Sequence, residues 1–194
     1  MQERGRPLTS SILNTIDFWG PEHMRRWIAR AFDGTSLPLA TKRFLVDVGL
    51  PDTSRQPFVF GPSLAQIPRP YPEFSNYLSI GGDRKRSFCL DEHRDGAVIW
   101  FSEKHGVHRY VNRGVERFGL CLVVRQKAVE AAARVNAVPN LDWSDRFGRW
   151  QLVENEALEA MCHIDGDAMS SPDNFWPTSM RDISGLEHPP HKGN

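Results

Sequence analysis

Between Asn76 and Asn112 the chain carries four short apolar runs at about ten-residue spacing, and this feature narrows its fold more than any other. Tyr77-Leu78-Ser79-Ile80 stops at Gly81-Gly82-Asp83, and Ser87-Phe88-Cys89-Leu90-Asp91 stops around Arg94-Asp95-Gly96. Ala97-Val98-Ile99-Trp100-Phe101 stops near Lys104-His105-Gly106, and Val107-His108-Arg109-Tyr110-Val111 stops at Asn112. Glycine and aspartate supply the unusual backbone angles that tight hairpin turns need, so the set predicts an antiparallel meander. Asn112 is a favourable helix N-cap. Behind it Val115, Phe118, Leu122, Val123 and Val129 form an apolar stripe that predicts a helix running to about Arg134. A helix with one apolar face must bury it, and the neighbouring sheet is the available partner. The expected fold is α+β: an antiparallel sheet of four to six strands packed against helices.

Upstream, Gly20-Pro21 precedes Met24, Trp27, Ile28 and Ala31 at i, i+3, i+4 and i+7, which predicts a helix over 21–32 that stops at Asp33-Gly34. In 39–48, Phe44, Leu45 and Val48 share one helical face, Gly49 suits the C-terminal cap and Pro51 prevents continuation. Pro57, Pro62, Pro68, Pro70 and Pro72 impose an extended or irregular path, with room for a short strand at 58–60. Beyond Pro139-Asn140 a second helix is expected over about 154–163, and 174–183 should return Phe175, Trp176, Met180 and Ile183 to the core. Residues 1–186 read as a single domain, with 1–36 a helical N-terminal extension and 187–194 a flexible tail.

Lys and Arg number 24 and Asp and Glu number 24, so the formal net charge is zero. Direct nucleic-acid binding calls for a basic excess or stripe, and neither is present. The one dense basic patch, Arg84-Lys85-Arg86, lies beside Gly81-Gly82-Asp83 and reads as a solvated turn. The most apolar stretch, 118–124, is too short to span a membrane, and the polar start over 1–9 has no signal-peptide core. Cys89, Cys121 and Cys162 are odd in number and match no metal spacing. Their apolar neighbours predict buried reduced thiols and a cytoplasmic location.

No constellation points to catalysis. His105-x-x-His108 and His163-x-Asp165-x-Asp167 lack zinc or EF-hand spacing. No Gly-x-Ser-x-Gly elbow occurs, and Gly81-Gly82 leads into a strand, whereas a phosphate cradle needs a helix. Acid pairs such as Asp91-Glu92, or Glu154 with Glu156, cannot be told from a solvated surface. No catalytic residue, metal or cofactor is therefore expected.

The order of elements resembles the SUKH superfamily of Smi1/Knr4-like proteins, and its SUKH-4 branch in particular. Thr41-Lys42-Arg43-Phe44-Leu45-Val46-Asp47-Val48-Gly49-Leu50-Pro51 is similar to that family's helix ending in Gly-Leu-Pro. Tyr77-Leu78-Ser79-Ile80-Gly81 is similar to its strand and turn, followed by Phe88-Cys89-Leu90-Asp91 and Gly96-Ala97-Val98. Val111-Asn112 then leads to Val115 and Phe118, with Arg113-Gly114 where the branch has a serine pair, and Trp176-Pro177 with Met180 and Ile183 resembles its closing segment. The resemblance spans about 37–186 and leaves 1–36 and 139–150 unexplained.

The resemblance implies an immunity protein, made by a bacterium to neutralise a cognate polymorphic toxin by direct binding. Toxin partners of the superfamily are diverse and often nucleases. The alternative it implies is a regulatory scaffold that binds an endogenous partner. A binding surface of aromatic and charged residues on turns is then expected, since rigid scaffolds commonly carry function there. The candidates are Arg69, Tyr71 and Glu73 in the proline-rich loop, Arg84, Lys85 and Arg86 in the next turn, and Glu103, His105 and His108 around the last hairpin. The competing reading is that Tyr71 packs on the core and the charges only solvate. Trp143 and Trp150, flanking Asp145-Arg146-Phe147-Gly148-Arg149, are either a second surface or a packing pair.

Overall fold

A computed structural model describes residues 15–52, 58–60, 70–71, 74–83, 86–102 and 107–181. A helical turn over 15–19 (α1) ends at Gly20, which has φ 83°. The helix expected over 21–32 does not form. In its place stand a 3-10 turn (Pro21–His23), a short strand β1 (Met24–Arg25) and a second 3-10 turn (Ala29–Phe32). The apolar spacing misleads because only part of it faces inward. Met24, Trp27 and Ala31 are buried, while Ile28 is 49% exposed. Tertiary bonds claim the backbone: β1 pairs antiparallel with Leu50–Pro51 (β2), and Trp27 N–H donates to the Leu45 carbonyl at 3.0 Å.

Between those strands lies the helix expected over 39–48. It begins as α2 (Leu39–Arg43) and widens into a π-turn, Phe44–Val48, closed by Gly49 N–H donating to the Phe44 carbonyl at 2.8 Å. Phe44, Leu45 and Val48 are buried, as their spacing predicts. Gly49 has φ 85°, and a Cβ there would stand 2.1 Å from the Arg25 carbonyl oxygen. Only glycine allows β1 to pass this closely.

The meander is present. β3 (Val59–Phe60) and β4 (Pro70–Tyr71) both pair with one edge of β5 (Phe74–Asp83). The other edge of β5 leads through β6 (Arg86–Asp91) and β7 (Ala97–Ser102) to β8 (Val107–Asn112), all antiparallel. This makes a six-stranded sheet among the described residues. Bulges interrupt the register between Ser79 and Gly81 and between Val98 and Ile99, which bends the sheet. Leu78, Ile80, Phe88, Leu90 and Val98 join the main core, while Tyr77, Cys89 and Phe101 form a separate cluster. Strand alternation puts these two sets on opposite faces.

The long helix α3 (Val115–Asn136) covers the main face. Asn112 does not cap it. Asn112 is the last residue of β8 with its side chain buried, and Gly114 takes the cap position. The next helix, α4 (Trp143–Ile164), starts well before residue 154. Asp142 caps it by accepting from Asp145 N–H at 2.9 Å. Its first turns hide from pattern reading because Trp143 and Phe147 are partly exposed and Gly148 interrupts the stripe. A 3-10 turn (Gly166–Met169) leads to α5 (Phe175–Met180), which buries Phe175, Trp176 and Met180 as expected. Ile183, the tail over 187–194 and residues 1–14 lie outside the described residues. Aromatic rings knit the layers: Phe88 lies 5.0 Å from both Phe118 and Phe175, and Phe118 lies 6.0 Å from Trp176. Each such buried ring stabilises the fold by about 1.5–3 kcal/mol through removal from water.

Candidate partner-binding surface

Register decides which turns share a rim. Asp83 lies opposite Arg86, Ser102 opposite Val107, and Ser87 opposite Phe101. The β5–β6 and β7–β8 hairpins therefore turn at the same end of the sheet. β3 joins them there, with Val59 opposite Gly82. The 91–97 turn and Asn112 mark the other end.

Of the residues singled out from sequence, Arg69, Glu73, Arg84, Lys85, Glu103 and His105 lie outside the described residues. Tyr71 is in β4, opposite Phe74. Arg86 opens β6 and His108 sits in β8, both exposed. These two occupy opposite faces of the sheet. Arg86 alternates in phase with Phe88, and its guanidinium carbon stands 5.0 Å from the centroid of Trp100. Arg109 reaches the same ring from β8 at 5.4 Å. Phe88, Trp100 and Arg109 are aligned across three strands, and Phe175 backs the indole at 6.0 Å. His108 lies opposite Phe101 on the other face. Its ring is 5.5 Å from Phe101 and 5.7 Å from Tyr77, with Nδ1 3.1 Å from the Tyr77 hydroxyl. Burial first, and the Asp91 carboxylate second, raise the Tyr77 hydroxyl above its ordinary pKa, so it keeps its proton.

Sequence reading missed Trp100 and Arg109, since both lie inside strands. The available signal was strand alternation, which needs the register before it joins them to Arg86.

The other end of the sheet is tied down by a buried polar knot. Asn112 Nδ2–H donates to Asp165 Oδ2 at 3.2 Å and to Cys121 Sγ at 3.5 Å. Arg113 N–H donates to the same Asp165 oxygen at 2.7 Å, and the Arg117 guanidinium stands 3.7 Å from Asp165 Oδ1. Asp167 pairs with the Arg113 guanidinium. The aspartates of the His163-x-Asp165-x-Asp167 motif thus face an amide and two arginines, while His163 is exposed beside Glu159. Among the described residues no group of three or more His, Cys, Asp or Glu side chains is placed to hold a metal ion. A shallow cleft of about 200 Å³ opens next to the knot, lined by Thr41, Asp95, Arg113, Glu116 and Arg117 among others. Partial burial raises the Glu116 carboxyl above its ordinary range, and Arg117 opposes that shift.

Burial pushes the thiols of Cys89 and Cys121 up to about 12, so both stay protonated and unreactive near neutrality. Cys162 departs from the expectation of three buried thiols. It is exposed on α4, because the apolar neighbours that suggested burial point to the other side of the helix. The tryptophan pair of α4 divides likewise. Trp150 is buried and Trp143 is 50% exposed, with their rings edge to face at 5.7 Å. Arg146 between them donates to the carbonyls of Asn136, Val138 and Leu141, closing the end of α3. No described helix is long and apolar enough to cross a membrane.

An antiparallel meander backed by α3 and α5, with a two-stranded ribbon before it, defines an α+β protein of the SUKH type. The chain belongs to the SUKH-4 immunity protein family, whose model matches residues 16–182. That match takes in 16–36 and 139–150, which the sequence resemblance leaves unexplained. No curated protein and no solved structure matches the chain.

Proposed function

We propose that this protein neutralises a cognate bacterial polymorphic toxin by binding it directly in the cytoplasm, with no chemistry of its own. Membership of the SUKH-4 immunity protein family carries the reading. One physical feature agrees with it: the two thiols inside the core, Cys89 and Cys121, are held protonated. The docking surface proposed is the end of the sheet where the β5–β6 and β7–β8 hairpins turn, with Arg84, Lys85, Arg86, Glu103, His105 and His108 as its candidate residues. Tyr71, opposite Phe74, stands toward the other end of β5, so Tyr71, with Arg69 and Glu73 next to it in sequence, is a candidate for a separate contact. Tight inhibitory complexes bury about 1,600 Å² in total, about half of it on each partner.

The test is protection. A candidate toxin sought among the neighbouring genes, a nuclease being the first class to assay, is expressed alone and together with it. Survival only with both, and co-elution of the two purified proteins, support the proposal. Continued killing with no complex overturns it. An endogenous partner recovered under those conditions would favour the regulatory-scaffold alternative.

A further inference from the structure

We infer that Trp100, clasped by Arg86 and Arg109, is an anchor for a protein segment that presents two carboxylates, one to each guanidinium. The inference rests on the binding role proposed above and specifies the chemistry of the partner. Its basis is a mismatch between what these side chains are and what surrounds them. Arg86 and Arg109 have no carboxylate within ion-pair distance among the described side chains, although acids and bases are equal in number in the whole chain. Arg25, Arg94, Arg113 and Arg117 have such a partner, while Arg30, Arg43 and Arg149 also have none among the described side chains; what sets Arg86 and Arg109 apart is the tryptophan ring they share. Two cations are thus held on one ring with no carboxylate against them among the described side chains.

The ring is well placed to serve as an anchor. Trp100 is only part-buried, and its inner side rests against Phe175 at 6.0 Å. Its strand is paired on both edges, so the indole and both guanidinia are held before any partner arrives. Pre-ordering of this kind removes part of the entropy cost of association. Tryptophan and arginine are also the side chains that most often dominate binding energy in protein interfaces.

Protein is a better fit than nucleic acid. A single-stranded nucleic acid needs an open aromatic face on which a base can stack. Here a guanidinium from each flanking strand already lies over the indole. A carboxylate can bind the outer N–H groups of each guanidinium without displacing it from the ring, which a stacking base could not do.

The test has two arms. The first uses the toxin from which the wild-type protein protects. Arg86→Glu and Arg109→Glu should each weaken binding about tenfold, chiefly through slower association, and the penalty should shrink at about 0.5 M salt. Trp100→Phe, which keeps the packing on Phe175, should weaken binding less. Circular dichroism confirms that each variant folds. Unchanged affinity of the Arg86→Glu/Arg109→Glu double variant overturns this inference and leaves toxin binding intact. If the wild type binds no toxin, the second arm decides. Hexaglutamate is titrated into 15N-labelled protein and the Trp100 indole N–H signal is followed. A saturable shift that disappears in the double variant supports the anchor. No shift, an equal shift in the double variant, or a larger shift with a short single-stranded oligonucleotide overturns it.

Discussion

Trp176 donates its indole N–H to Asn112 Oδ1 at 2.9 Å, and both side chains are fully buried. This one bond fastens α5 to the last strand of the sheet. Its acceptor belongs to an amide whose other end holds Asp165, so three elements depend on a single asparagine.

Replacing that asparagine should be costly in a way that replacing its partner is not. Trp176→Phe leaves one amide oxygen unpaired and should lose about 1–3 kcal/mol. Asn112→Ala leaves the Trp176 donor unpaired and removes one hydrogen bond from the buried Asp165 carboxylate, so the loss should exceed about 3 kcal/mol. Urea unfolding followed by tryptophan fluorescence reads both. The midpoint should fall with an unchanged slope, which marks lost stability and not a changed denatured state.

The buried thiols predict alkaline sensitivity. Cys89 rises from 9.0 to about 12 on folding, so between those values the unfolded chain has released a proton that the folded chain retains. Stability should therefore fall as pH rises from about 9 towards 12, and neither thiol should affect it below 9. Cys89→Ala should flatten part of that slope in thermal melts across the range. A thiol reagent at neutral pH should label Cys162 rapidly and leave Cys89 and Cys121 unlabelled until the protein unfolds.

Two glycines with positive φ give a matched pair. At Gly49 an added Cβ meets the Arg25 carbonyl, whereas at Gly34, with φ 77°, it meets nothing within 4 Å. Gly34→Ala should cost about 1 kcal/mol, from backbone strain alone. Gly49→Ala should cost at least about 2 kcal/mol more, because β1 must retreat from the glycine. Thermal melts of the two variants side by side separate strain from collision.

The sheet was the most legible part of this chain. Its signal is local, with short alternating runs closed by Gly81-Gly82-Asp83 and Asp95-Gly96. The helix expected at 21–32 failed for the opposite reason. Its outcome depends on β2, which begins at Leu50, and no window around Trp27 contains that partner. α4 was read short because the side chains that open it are partly in solvent. The surface was half legible. Arg86 and His108 could be chosen by type, but only the register shows that they face opposite ways and that Trp100 and Arg109 belong with the first. Asn112 was misread as a cap, since a capping asparagine and a core amide look alike in sequence.

The distances along the chain at the knot also set a timetable. Asn112 finds Asp165 and Trp176 only 53 and 64 residues later. At translation speeds of about 5–20 residues per second, the finished meander must wait several seconds for the pieces that cover it. Through that interval Phe88 and Trp100 have no Phe175 to pack against, and the apolar face of the sheet stays open to wrong contacts. Whatever this protein binds is met by copies completed beforehand, and not by those still emerging from the ribosome.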